Sequence, residues 1–406
     1  MAGALSVPGL LAACGTTQPL PAPGDVSGQI RGQGPGGLAL ARPNVPVSLP
    51  IYPDNKAIAS GLKPEKGPLQ FYNWQEYINQ DVVNSFQKKY NVEVQISTFT
   101  TLDEAVAKIE SQAVQYDLFC PETPDLEQLV VGKLLSPLNL DYIPNLEANV
   151  WPTLVNPWYD YGSQYTVPYT VYTTGLGWRN DKLPNFNPES YSNPWSALWI
   201  EGPKIPGLIG MLDDQHDGMA VGLLHTGTTD VNTGSSAALT KAQKAIAELV
   251  SSSNLKFDTN EYQQLADGAI YLHQAWSGDV AAAPGYAPKG VPPTAFSYWW
   301  PKDGKGPIDN DMLALVRGGK NPVLAHLFLN HVLDVEQAFS NYSYILYQQP
   351  LNAMTPEAVV QRKLVPANLQ NTLIVENQFK TGYVSGPLST PAATLWENAW
   401  AAVRSS

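Results

Sequence analysis

Two cysteines in 406 residues, Cys14 and Cys120, are too few and too differently placed for a disulfide framework. Positive charge is scarce as well: 24 Lys and Arg stand against 36 Asp and Glu, a formal net charge of −12. A chain so short of basic surface is excluded from nucleic-acid binding, because phosphate recognition demands a basic face. No apolar run approaches the roughly 20 residues of a membrane span. Catalytic signatures are missing too, with no Gly-x-Ser-x-Gly elbow and no Walker loop. The five histidines, His216, His225, His273, His326 and His331, are scattered and show no second His or Cys at metal-ligand spacing. Cys120 closes the apolar run Asp117-Leu-Phe-Cys, the setting of an inert buried thiol rather than a nucleophile. The expectation is a protein that is not an enzyme and carries no cofactor and no resident metal.

What is abundant is proline (35), tyrosine (20) and tryptophan (11). Residues 1–14 are small and apolar and end in Leu11-Ala12-Ala13-Cys14, which looks like the end of a bacterial lipoprotein signal without the basic residues that usually begin one. Cys14 is then the expected lipidation site and the means of membrane attachment. Residues 15–68 carry ten prolines and a Gly-rich run from Gly32 to Gly37. That composition predicts a tether, with a part around Val45–Ile51 packing on the body.

From Leu69 the pattern becomes α/β. Strand, helix, strand, helix, strand, helix follow over 69–131, with Val82, Val83 and Phe86 on one helix face and alternation over 92–98. Such an order predicts parallel strands with crossover helices. Later expectations are strands over 166–172, 175–179, 207–212, 294–300 and 311–316. Long helices are expected over 237–252 and 260–277, the second ending at Trp276. With 44% hydrophobic residues the chain can build the core of two ordinary domains.

Two acidic groups stand out. Asp213-Asp214-Gln-His-Asp217 follows a strand and opens a helix. One Asp suffices for a cap, whereas Asp214 and Asp217, three apart, can turn both carboxylates to one side and hold an ammonium group. Asp309-Asn310-Asp311 reads, on spacing alone, as a polar turn. Trp74 and Tyr77 follow the first strand, where ligands of open α/β sheets sit.

The body from Leu69 onward resembles the bacterial extracellular polyamine-binding proteins, the spermidine/putrescine receptors of ABC importers. The resemblance is carried by Phe71-Tyr-Asn-Trp-Gln-Glu-Tyr77, Val167-Pro-Tyr169, Trp195-Ser-Ala-Leu-Trp199, Gly210-Met-Leu-Asp-Asp-Gln-His-Asp217, Trp300-Pro-Lys-Asp-Gly304 and Tyr347 before Pro350-Leu-Asn352. It implies a type II periplasmic-binding fold of two α/β lobes, one of 69–171 plus 311–353 and one of 172–310 plus 354–406. A cationic amine would be captured between them and delivered to an ABC permease by a monomer at the extracellular or periplasmic face. By position, Trp74 and Tyr77 would face the ligand from the first lobe, Asp214 and Asp217 would hold one amine, Trp276 would cover the methylene chain, Asp311 would bind another amine near the hinge, and Tyr347 would return from the first lobe. Two departures mark this chain. Glu122-Thr123-Pro124 replaces the family's Ser/Thr and Tyr, so Glu122 or Thr123 would face the ligand there. Asp309 stands where family members tend to have an aromatic. The alternative within binding proteins is a receptor for another small solute such as an opine or ferric ion, with Tyr342, Tyr344 and Tyr347 as phenolate ligands.

Overall fold

β1 (Leu69–Trp74), β2 (Val94–Phe99) and β3 (Leu118–Phe119) pair in parallel in the order β2-β1-β3, as the alternating pattern predicts. The computed structural model describes residues 34–111 and 114–406. The apolar start with Cys14, and the expected tether up to residue 33, lie outside them. The first crossover helix, Gln80–Tyr90, begins where the Asn79 side chain accepts the Asp81 N–H and ends at Asn91 in the left-handed conformation. Its Val82, Val83 and Phe86 are buried against the sheet.

The remaining strands are β4 (Leu135–Ser136), β5 (Thr166–Arg179), β6 (Ile209–Leu212), β7 (Lys256–Asp258), β8 (Leu272–Trp276), β9 (Phe296–Trp299) and β10 (Ile308–Val316). β5 organises them. Its first part, Thr166 to Thr173, pairs antiparallel with β10, which joins β3. Its second part pairs antiparallel with β8 on one side and β9 on the other. Beyond β8 lie β6 and β7, both parallel. The main order is β2-β1-β3-β10-β5-β8-β6-β7, two half-sheets that share one strand.

β5 is continuous over 14 residues where the sequence suggested two strands. Its glycines are there for close approach rather than for a break. A Cβ on Gly175 would meet the Trp299 carbonyl oxygen at 2.2 Å, and one on Gly177 would meet Val280 Cγ2 at 2.6 Å.

Three further expectations change. The helix expected over 260–277 is a short helix, Glu261–Asp267, then β8, then a second helix, Ser277–Tyr286. Gly268, in the left-handed conformation (φ 69°), ends the first helix, and Leu272-His-Gln-Ala-Trp is then drawn between β5 and β6. Trp276 therefore ends a strand, not a helix. Residues 309–311 are paired strand rather than a polar turn, with Asp309, Asn310 and Asp311 opposite Tyr172, Val171 and Thr170.

Finally, the packing on the body expected around Val45–Ile51 is present, and it extends over more of residues 34–68 than expected. Leu40, Ala41, Val47 and Leu49 are buried. The Val47 N–H donates to the Trp158 carbonyl (2.8 Å), and the Val47 carbonyl accepts from the Tyr161 N–H (2.9 Å). Glu65 accepts from the N–H groups of Val323 (3.1 Å) and Leu324 (3.0 Å), capping the helix Pro322–Val332. Proline and glycine counts report chain composition, whereas Leu40, Val47 and Leu49 respond to a surface that only the folded body supplies.

Candidate functional site

Strand pairing puts one set of polar side chains on one face. Successive strand residues alternate faces, and residues directly opposite share one. Asp309 and Asp311 on β10 therefore face the same way as Tyr172 and Thr170 on β5, while Asn310 turns away and donates to the Tyr159 hydroxyl at 2.7 Å. Glu122 joins this face through an isolated antiparallel bridge to Asp311, just after β3. Asp311 accepts from Thr170 Oγ1 (3.0 Å) and from the Tyr77 hydroxyl. Tyr77 reaches it because the chain turns sharply after β1 at Glu76 (φ 55°). The Tyr77 carbonyl is held there by Asn73 Nδ2 (3.2 Å) and the Tyr169 hydroxyl (2.5 Å).

The second acidic set stands where β6 gives way to the helix Gln215–His225. Asp214 is the cap of that helix, accepting the Asp217 N–H at 2.8 Å. Asp217 lies in the first turn and accepts from Thr174 Oγ1 and from Trp276 Nε1, both at 2.6 Å. Thr174 is on β5 and Trp276 ends β8, so neighbouring strands of the half-sheet aim this carboxylate.

Aromatic rings gather beside the first set. Tyr347 packs edge-on against Tyr77 (5.4 Å between centroids) and Tyr172 (5.6 Å), and its hydroxyl donates to Asp279 Oδ1 at 2.8 Å. Asp279 sits beside the fully buried Glu261, which accepts the Trp276 N–H at 3.2 Å. Trp74 is placed differently. Its ring packs on Phe99 (4.5 Å) at the end of β1, and no hydrogen bond ties it to the acids. Thr123 is buried beside Glu122, and its hydroxyl has no hydrogen-bond partner.

The electrostatics around these acids are one-sided. Among the described residues, none of Glu122, Asp214, Asp217, Asp309 and Asp311 forms an ion pair with a lysine or arginine. Burial pushes the Asp311 carboxyl up to about 6, against the pull of the Tyr77 and Thr170 hydrogen bonds. Burial and the Asp214 charge push Asp217 up to about 7. Glu122 and Asp309 are raised well above the usual carboxylate range, by burial first and then by their acidic neighbours. The Tyr172 phenol is also raised, by burial and then by Asp311, Asp309, Glu122 and Asp217. Such a site is short of positive charge.

Of the residues singled out in the sequence, Tyr77, Glu122, Asp311 and Tyr347 come together on one side and Asp214, Asp217 and Trp276 on the other. Thr123 adjoins the first group, and Trp74 stands apart on Phe99. Sequence reasoning missed Thr170, Tyr172, Thr174 and Asp279 as partners. Only the register of β5 against β10 reveals Tyr172 as a neighbour of the acids, because in sequence it is one aromatic among many. The phenolate set does not converge: Tyr342 is buried, Tyr344 is 52% exposed and Tyr347 is bonded to Asp279. Among the described residues no group of three or more His, Cys, Asp or Glu is arranged to hold a metal ion.

A family model of bacterial extracellular solute-binding proteins matches residues 81–363. The putrescine-binding periplasmic protein PotF of Escherichia coli K12 is 25% identical over 305 residues, covering 73% of this chain and 81% of that protein. Two solved structures share the fold. One is a putative spermidine/putrescine ABC transporter protein from Listeria monocytogenes (TM-score 0.69, 22% identity, 83% of this chain and 98% of that one). The other is the Tp0655 lipoprotein of Treponema pallidum (TM-score 0.70, 22% identity, 83% and 99%).

Proposed function

The chain belongs to the bacterial extracellular solute-binding proteins, and from that premise we infer that it captures a polyamine outside the cell membrane and delivers it to an ABC permease. One observation carries this reading: Glu122, Asp309 and Asp311 share one face of the paired strands, Asp214 and Asp217 open the helix after β6, and among the described residues none of the five has a lysine or arginine partner. A polyamine alternates ammonium groups with hydrocarbon. Carboxylates pair with the first by charge-assisted hydrogen bonds, and ring faces accept the second by cation–π contact, about 0.5–2 kcal/mol each. In this reading Asp311, with Tyr77 and Thr170 behind it, receives one ammonium. Asp217, steadied by Thr174 and Trp276, receives another, with Asp214 adding charge beside it. Tyr172, Tyr347 and the Trp276 ring cover the methylenes, and Trp74 lines the mouth of the cleft. No bond is made or broken. The names of the relatives, which specify putrescine and spermidine, support the amine class.

The two half-sheets act as lobes, 69–171 plus 311–353 and 172–310 plus 354–406, that close on the ligand by bending where β5 and β10 cross. Tyr347 then rests on Gly278 from the opposite lobe. Cys14 anchors the monomer to lipid, outside the described residues. A thermal-shift screen with putrescine, spermidine, spermine and Fe³⁺ tests the function. At least one amine raises the melting temperature and Fe³⁺ does not. Asp217→Asn weakens that amine about 10- to 100-fold, the worth of a charge-assisted hydrogen bond. A screen in which no amine shifts the melting curve overturns the reading.

A further inference from the structure

Ala41 and Arg42 are neighbours in sequence held by opposite halves of the molecule. Both precede residue 81, where the match to the family model begins. The Ala41 N–H donates to the buried Glu127 Oε1 (3.1 Å), on the helix Leu126–Val131 of the first half. Arg42 and Val45 close a turn through each other's N–H and carbonyl groups, at 3.1 and 2.8 Å, which fixes the base of the arginine. From there Arg42 Nη1 donates to the Pro387 carbonyl at 2.9 Å and to the Ala41 carbonyl at 2.6 Å.

Pro387 belongs to the second half. Asn232, between the helices Gln215–His225 and Ser236–Ser253, donates to the Val384 carbonyl (2.9 Å) and accepts the Gly386 N–H (2.8 Å). The chain then enters the helix Thr390–Arg404, whose Trp396 donates to the Thr233 carbonyl at 2.9 Å. Just before Pro387, Tyr383 is bonded to Gly306 (2.9 Å) and Ile308 (3.2 Å), at the start of β10. The junction is tight. A Cβ on Gly386 would meet Arg42 Nη1 at 2.9 Å and Trp158 Cη2, of the first half, at 3.1 Å. Arg42 forms no ion pair among the described residues. Burial lowers its value, and the charges of Asp230 from the second half and Glu127 from the first oppose this. A guanidinium in that setting depends on the carbonyls it reaches, and relative rotation of the halves changes its distance from Pro387.

We propose that Arg42 is a positioning residue for ligand capture: it braces the hinge from the segment 34–68 and favours the closed arrangement before a ligand arrives. The inference rests on the closure of two lobes described above and not on the identity of the ligand. The halves are in contact here, since the Tyr347 hydroxyl of one donates to Asp279 of the other. A bond made in this arrangement and lost on opening shifts the equilibrium by its own net worth, and a ligand that binds the closed form gains up to the same factor.

Small-angle X-ray scattering of the ligand-free protein reads the brace directly. Arg42→Ala and Gly386→Ala act on the junction from its two sides, and Gly386 is not in a left-handed conformation that would oppose alanine. Each enlarges the ligand-free radius of gyration, and saturating spermidine restores the value of the liganded wild type. Calorimetric titration with spermidine shows affinity falling by up to about tenfold, the worth of one hydrogen bond to a charged group. A variant that melts lower yet keeps wild-type ligand-free dimensions and affinity has lost only a packing contact and overturns the brace. Compaction of the wild type by spermidine then leaves closure standing. If spermidine binds none of the proteins, the polyamine reading falls, and the ligand-free scattering still decides the brace.

Discussion

Gly278 is where the proposed closure is most exposed to a single atom. It lies in the first turn of the helix Ser277–Tyr286, and its backbone is not left-handed. Alanine there is conformationally acceptable, and helix propensity favours it by up to about 1 kcal/mol. Space is what it lacks. A Cβ on Gly278 would lie 2.4 Å from Tyr347 Cδ2 and Cε2 and 2.7 Å from Cγ. The ring cannot slide aside without leaving Asp279, Tyr77 and Tyr172. Relief therefore comes from parting the halves that carry Gly278 and Tyr347. Overpacking of this kind costs about 1–3 kcal/mol. That cost falls on the closed form alone, so Gly278→Ala weakens ligand affinity about 5- to 150-fold. The ligand-free protein, free to stay open, melts at the wild-type temperature or slightly above. Calorimetric titration and ligand-free melting together read both halves of the prediction. Affinity within twofold of wild type, in a variant that still compacts on ligand addition by small-angle scattering, refutes the reasoning.

Two other expectations follow from the same side chains. Asp217 and Asp311 have folded-state values near 7 and 6, above their ordinary value of 3.8. Between these limits the folded protein holds protons that the unfolded chain has released, so their contribution to stability is present below about pH 4 and lost as pH rises through 6 to 7. Relative to an Asp217→Asn/Asp311→Asn variant, the ligand-free wild type loses melting temperature between pH 5 and pH 8; a constant difference across that range counts against the assignment. Binding a cation requires the ionised acids, so wild-type affinity rises over the same window, and titrations in buffers of different ionisation enthalpy detect proton release. Separately, Leu49→Ala, in the segment 34–68 laid on the body, costs about 2–5 kcal/mol in urea unfolding, the usual loss for a buried leucine. A change below about 0.5 kcal/mol, normal for an exposed site, would count against the packing of this stretch on the body.

Some of this was legible in the sequence for reasons that are local. Helix Gln80–Tyr90 announces itself through Asn79 at its start, Asn91 at its end and a Val82-Val83-Phe86 stripe. Asp214 and Asp217 could be singled out because strand, cap and helix follow within a few residues. Other features depend on contacts far apart in the chain. Asp309-Asn310-Asp311 has turn composition, and it is extended because residues 170–172 supply its hydrogen bonds. Leu272-His-Gln-Ala-Trp carries helix and strand signals alike, and its place between β5 and β6 decides. Tyr77 was found as a ring at a strand end. That its hydroxyl meets an aspartate 234 residues away could not be read from spacing.

β5 gives the cleft a gauge of length. The hydroxyls that steady the two end carboxylates, Thr170 behind Asp311 and Thr174 behind Asp217, sit four residues apart on one unbroken strand. At about 3.3 Å per residue that is about 13 Å of main chain. In the closed form that separation follows from the main chain of β5, and side-chain substitutions around the acids leave it unchanged. With Asp311 and Asp217 in their proposed roles, discrimination between short and long amines lies in the backbone, and changes of side chain decide how many charges along that length are answered.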